Sequence, residues 1–105
     1  IDGATLDDAA RKVIADAGYG EHFIHRTGHS ITTELHGAGA NLDNYETNDT
    51  RTILPGTSFS IEPGIYLPGR FGIRSELDVI ITHDGQAIAT SEPRQMEVVK
   101  ILGRK

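Results

Sequence analysis

The sequence predicts an α+β domain, one helix followed by a mainly antiparallel curved sheet, and three observations carry that expectation. Helical periodicity occurs once, near the start; strict apolar/polar alternation occurs twice, in the middle; and Gly/Pro turn signals separate the alternating stretches. Leu6, Ala10, Val13, Ile14 and Ala17 recur at helical spacing, with Thr5 and Asp8 placed as a capping pair and Gly18 as the stop. Between His22 and His36, the β-branched Ile24, Thr27, Ile31, Thr32 and Thr33 favour one or two short strands. Residues 37–55 are polar throughout and read as a long surface loop, of the kind that often flanks a chemical site.

Pro55-Gly56 marks a turn, after which Phe59, Ile61 and Ile65 alternate with Ser58, Ser60 and Glu62 as a strand with one apolar face. Pro68-Gly69-Arg70 reverses the chain. Ile73, Ser75, Leu77, Val79 and Ile81 then alternate with Arg74, Glu76, Asp78, Ile80 and Thr82, which puts Arg74, Glu76 and Asp78 on one face. Paired as an antiparallel hairpin, the two strands bring Glu62 and Glu76 side by side on one sheet face, where they repel unless something positive lies between them. His83-Asp84-Gly85 makes a further turn, and residues 86–90 and 98–102 are expected strands.

Bulk properties narrow the function. A chain of 105 residues makes a single domain with a modest core, burying roughly two-thirds of its unfolded surface. Its 10 basic residues are scattered among 15 acidic ones, a formal charge of -5, so neither nucleic acid nor an anionic membrane is an expected partner. Without cysteine, a disulfide framework and a thiolate metal site are excluded, and any metal must be held by His and carboxylates. No apolar run approaches the about 20 residues that span a bilayer. The start, Ile1-Asp2-Gly3, has neither a signal-peptide pattern nor an initiator Met, so the expectation is a cytoplasmic protein from which this is one piece. Asn48-Asp49-Thr50 fits a glycosylation sequon, with no other sign of secretion.

Three of the five histidines, His25, His29 and His36, fall close together. In an extended segment His25 and His29 share a face because their separation is even, whereas His36 needs a bend to join them. Taken singly, each has a plain reading as a polar side chain on a strand edge, and Glu62 and Glu76 as a solvated face or as ion partners of Arg70 or Arg74. Glu62-Pro63-Gly64 points the other way. Proline removes a ladder donor and glycine admits a close neighbour, as suits a strand running into a site. His and Glu without thiolate suit Mn(II), Co(II), Fe(II) or Zn(II). No HExxH, phosphate loop or nucleophile elbow competes with that chemistry, since Gly28-His29-Ser30-Ile31-Thr32 lacks the elbow's second glycine.

His25-Arg26-Thr27-Gly28-His29-Ser30-Ile31, then His36, Leu54-Pro55-Gly56, residues 59–66 (FSIEPGIY) and residues 71–79 (FGIRSELDV) together resemble the pita-bread metallopeptidases, and most closely their Xaa-Pro aminopeptidase and prolidase branch. The resemblance runs from Phe23 to Thr82 and implies the C-terminal half of that fold. It implies that His29, Glu62 and Glu76 are metal ligands, with Glu62 also the catalytic proton shuttle and Glu76 bridging two divalent ions, manganese foremost. It further makes His36 and His25 catalytic and substrate-contacting histidines and Arg74 a substrate-binding arginine beside the metals. The implied reaction is hydrolysis of the N-terminal peptide bond of Xaa-Pro peptides or dipeptides, a metal-bridging hydroxide attacking the scissile carbonyl. Ser30 and Thr32 stand where the motif has glycines, and Ser75 and Leu77 flank Glu76 where Ile and an acid are common, which bears on substrate preference.

The family adds two aspartate ligands from the preceding half of the fold, and none of Asp2, Asp7, Asp8, Asp16, Asp43, Asp49, Asp78 and Asp84 pairs up with the right spacing and strand setting. Three expectations follow. The chain alone is inactive and binds metal weakly or not at all; its partners are a peptide substrate and the missing N-terminal half of the catalytic domain; and the sheet face left open leads it to self-associate. The alternative is a non-catalytic peptide- or protein-binding module derived from this fold.

Overall fold

The structure, a computed structural model, describes residues 1–32 and 39–90. Helix α1 (Gly3–Asp16) opens the chain, followed by a single 3-10 turn (Gly20–His22). Among the described residues six short strands come after it: β1 (Ser30–Ile31), β2 (Ser58–Ile61), β3 (Gly64–Leu67), β4 (Phe71–Arg74), β5 (Leu77–Ile81) and β6 (Ala87–Ala89). All the pairings are antiparallel, giving a four-stranded sheet in the order β1-β2-β5-β6 and a two-stranded ribbon of β3 and β4. Residues 98–102, expected as a last strand, lie outside the described residues.

The helix begins three residues earlier than its expected cap. Asp2, not the Thr5 and Asp8 pair, is the N-cap, its carboxylate accepting the Thr5 backbone N–H at 2.8 Å. The inward face also differs from the apolar stripe: Gly3, Ala4 and Asp7 are buried, while Val13 is 71% exposed and Ala17 is exposed. Asp7 is the reason. Its carboxylate is an acceptor for donors on two loops, and those bonds rotate the helix so that a charged position points inward.

Each alternating stretch is one strand interrupted once. Both halves keep one register, with Ile61 opposite Leu77 in the main sheet and Gly64 opposite Arg74 in the ribbon, so Glu62 falls opposite Glu76 across the gap. Proline causes the interruption. Pro63 and Ser75 would exchange two ladder bonds, but Pro63 has no N–H, so only Ser75 N–H to the Pro63 carbonyl remains, at 3.2 Å.

The core is small: Leu42, Phe59 and Val79, with Leu6, Ile53, Ile61, Leu77 and Ile81 packed against it. Leu42 belongs to the stretch read as a surface loop, and Asp43 and Asp49 there are also buried. That segment is held by short side-chain turns rather than by regular structure. The Asp43 carboxylate accepts the backbone N–H groups of Tyr45, Glu46 and Thr47, and Asp49 accepts Asn41 N–H while pairing with Arg51 at 2.6 Å. Among the described residues no helix is long and apolar enough to cross a membrane.

Candidate metal centre

His29 and Ser60 lie where β1 meets β2. Their backbones pair through Ser60 N–H to the His29 carbonyl at 2.9 Å, and the Ser60 hydroxyl accepts His29 N–H at 3.0 Å. Approach this close needs a glycine next door: a Cβ on Gly28 would stand 1.8 Å from the Ser60 carbonyl oxygen. His29 is 6% exposed, and its Nδ1 lies 3.1 Å from the Ser30 carbonyl. A carbonyl can only accept, so Nδ1 carries a proton, which leaves Nε2 as the nitrogen on the Glu62 side. Nε2 sits 3.7 Å from Glu62 Oε2.

Glu62 leaves β2 at the proline break, and its backbone N–H turns to the Thr27 carbonyl at 2.6 Å. The non-hydrogen-bonded setting of the Glu62–Glu76 pair is the one in which opposed side chains come closest. The two carboxyls act on one another in opposite senses, one being held down and the other pushed up. Burial pushes Glu62 up, but the hydrogen bond with Glu76, the His29 ring, the Ser60 hydroxyl and the Arg74 charge together hold it below the ordinary carboxylate range. Glu76 is raised, first by that same hydrogen bond, then by burial and by the Glu62 charge. Arg74 is exposed at the end of β4, close enough for its charge to act on both glutamates.

This donor set suits a divalent cation in its chemistry: one imidazole whose Nδ1 is engaged by a carbonyl, and two opposed carboxylates whose mutual repulsion a cation would offset. Among the described residues no three His, Asp or Glu side chains converge as a ready metal-holding cluster.

Comparison with known proteins agrees with the geometry. The family model for metallopeptidase family M24 matches residues 1–83. The chain belongs to metallopeptidase family M24. It is 44% identical over 101 residues to a probable dipeptidase PepE of Mycobacterium tuberculosis, covering 91% of this chain and 24% of that protein. It is 42% identical over 96 residues to an Xaa-Pro dipeptidase of Lactobacillus delbrueckii, covering 91% and 25%. Among solved structures it matches the prolidase of Pyrococcus horikoshii with a TM-score of 0.81 at 33% identity, over 93% of this chain and 27% of that one. The dipeptidase PepE of Mycobacterium ulcerans matches with a TM-score of 0.80 at 40% identity, over 93% and 25%. The chain thus spans about a quarter of the length of the relatives it matches. These relatives bear out both the pita-bread fold, C-terminal part, and the Xaa-Pro branch.

The M24 chain sets Glu62 opposite Glu76 and His29 Nε2 3.7 Å from Glu62, with the Arg74 charge acting on both glutamates, but among the described residues the three expected ligands do not converge into a metal-holding cluster. His36 lies outside the described residues. The extended segment that would put His25 and His29 on one face is absent, since the chain bends at His25 and Thr27; His25 instead meets Tyr66, its Nε2 2.8 Å from the phenol oxygen. Two residues with a part in the site escaped the sequence reading. Ser60, fully buried, joins His29 to Glu62, and its only signal was its place in the alternation. Asp7, also fully buried, accepts both the N–H and the hydroxyl of Thr27, whose carbonyl in turn holds Glu62. Its signal was a carboxylate three positions after Ala4 and four before Arg11, on the face that a helix of this kind buries.

Proposed function

We propose that the chain is part of the catalytic domain of a metal-dependent dipeptidase or aminopeptidase that cleaves the N-terminal bond of Xaa-Pro peptides. The observation that supports this reading most is the opposition of Glu62 and Glu76 across the proline break, with His29 Nε2 3.7 Å from Glu62. His29, Glu62 and Glu76 would hold two divalent ions together with carboxylates from the rest of the protein. Such ions supply Lewis-acid polarisation of the scissile carbonyl. This chain's own residues have separable tasks: Ser60 orients His29 and Glu62, Glu62 stays ionised to accept a proton at its carboxylate, and Arg74 offsets the negative charge of the pair. Manganese is the foremost candidate, with cobalt, zinc and iron(II) compatible with the same donors.

The test compares this chain with the longer protein that supplies the two remaining carboxylates, each assayed for Gly-Pro hydrolysis with and without added Mn(II). The reading expects metal-dependent hydrolysis by the longer protein and none by the 105-residue chain. Hydrolysis by the chain alone would overturn the requirement for the missing half. Absence of hydrolysis by the longer protein with every metal, alongside retained peptide binding, would favour a non-catalytic binding module. The exposed Phe71 and Ile73 on the ribbon support a covering partner, either the missing half or a second copy.

A further inference from the structure

Tyr66 lies on β3 directly opposite Gly72 on β4, two residues beyond Gly64. A Cβ on Gly64 would lie 2.6 Å from the Tyr66 hydroxyl, and one on Gly72 would lie 2.8 Å from its Cδ1. Both are closer than a real Cβ stands, so a side chain at either position would displace the phenol, and the two glycines form a groove in which it lies along the ribbon. From that groove the hydroxyl reaches His25 Nε2 at 2.8 Å, the two rings tilted at 59° with centroids 5.4 Å apart.

The other sides of His25 are held as well. Nδ1 is 2.6 Å from the Arg26 carbonyl, which can only accept, so Nδ1 carries a proton. Phe23 meets the ring edge-on at 5.2 Å. The backbone carbonyl of His25 accepts from Arg11 Nη2 at 2.8 Å, and the same arginine pairs with the buried Asp7. Backbone and ring face are thereby held without Tyr66. A neutral imidazole has one N–H and one lone pair, so the Arg26 carbonyl at Nδ1 and the phenol at Nε2 favour the same Nδ1–H tautomer, and the tyrosine supplies the contact at Nε2.

We infer that Tyr66 is a positioning residue for His25: the Gly64–Gly72 groove holds the phenol so that its O–H donates to Nε2, fixing the imidazole in its Nδ1–H tautomer and in one orientation. The functional weight of this arrangement rests on the reading of His25 as a site residue of an Xaa-Pro peptidase; the arrangement itself rests on the geometry alone. One neutral hydrogen bond biases the tautomer ratio by roughly five- to tenfold.

Heteronuclear NMR of isotopically labelled protein resolves the two imidazole nitrogens of each histidine. In the wild type, His25 is expected with Nδ1 protonated and Nε2 bare. Y66F keeps a ring in the groove and removes the hydroxyl; His25 Nε2 should then move towards the protonated position as both tautomers populate. The His29 nitrogens, set by Ser30, should stay in place and report that the variant is folded. G72A displaces the ring with its hydroxyl intact and should move His25 in the same direction, which keeps the test open if Y66F does not fold. A wild-type His25 with Nε2 protonated, or a folded variant of either kind with unchanged His25 nitrogens, overturns the proposal. In the longer protein, Y66F should lower kcat/KM for Gly-Pro by roughly tenfold, of the order expected for one misplaced site group. A tautomer change in a protein whose wild type hydrolyses nothing would leave the positioning role standing and overturn only the peptidase reading.

Discussion

Two regions of this chain differ in how complete they are. Around α1 and residues 23–30 and 41–51, the buried polar groups are paired: Asp7 with Arg11, Thr27 and Asn44, Asp43 with three backbone N–H groups, and Asp49 with Arg51 and Asn41. The β3–β4 ribbon is the opposite, with Phe71 60% and Ile73 61% exposed, and Glu76 just beyond it is exposed too, its carboxyl raised by its neighbour Glu62. The first region closes on itself through hydrogen bonds. The second presents surface that becomes useful only against something else. A small chain can thus hold the surroundings of His29 through many hydrogen bonds while the ribbon beside Glu76 stays open.

Breaking the closed region should cost most. Asp7→Ala strands the Thr27 and Asn44 donors and removes the carboxylate from Arg11, and urea unfolding should show a loss of about 3–5 kcal/mol. A loss no larger than for a typical exposed site would mean that this region is not the self-sufficient one.

Acid should act on the same region. The Asp49 carboxyl is lowered to about 2 from the model-peptide value of 3.8, mainly by its hydrogen bond with Arg51. Because the folded value is the depressed one, this stabilisation is fully present above about pH 4 and is lost as the pH falls towards 2, amounting to about 2 kcal/mol. Urea unfolding between pH 6 and pH 2 should show this slope, and Asp49→Asn should flatten it.

Ser60→Ala probes the join between the regions. It removes the acceptor of His29 N–H and the donor to Glu62, so stability should fall by about 1–2 kcal/mol, and Mn(II) affinity of the longer protein by at least about tenfold. Isothermal titration reads the second effect, which a purely structural loss would not produce once the folded fraction is corrected.

The smallest effect belongs to the open ribbon. Ile73→Ser and Phe71→Ser should change the stability of this chain by less than about 0.5 kcal/mol, because both side chains are already largely in water. The same substitutions in the longer protein should cost more if the missing half covers the ribbon. Equal costs in both would remove the reason to place a partner there.

Much of the sheet was legible because alternation with period two reports directly which side chains share a face, and the register of Glu62 against Glu76 followed from it. The turns at 55–56, 68–70 and 83–85 were legible for a similar local reason, since Gly and Pro carry their backbone preferences with them. The helix's orientation was not. Apolar spacing pointed to Val13 and Ala17, whereas a buried carboxylate with several donors outweighs two small apolar side chains in choosing the inward face. The loop expected over residues 37–55 was legible as a loop, but its buried part was not: Asp43 and Asp49 look like solvated charges until the backbone donors around them are known.

By itself, then, the sequence determined the donor types, the pairing of the two glutamates and the family motifs, because each depends on neighbours within a strand or across one hairpin. Only the tertiary structure decided which nitrogen of His29 faces Glu62, that Ser60 and Asp7 hold that arrangement, and that Tyr66 reaches His25. Those contacts join residues far apart in the chain, and a hydrogen bond's direction is fixed by where its partner's donor or lone pair points, which residue spacing does not encode.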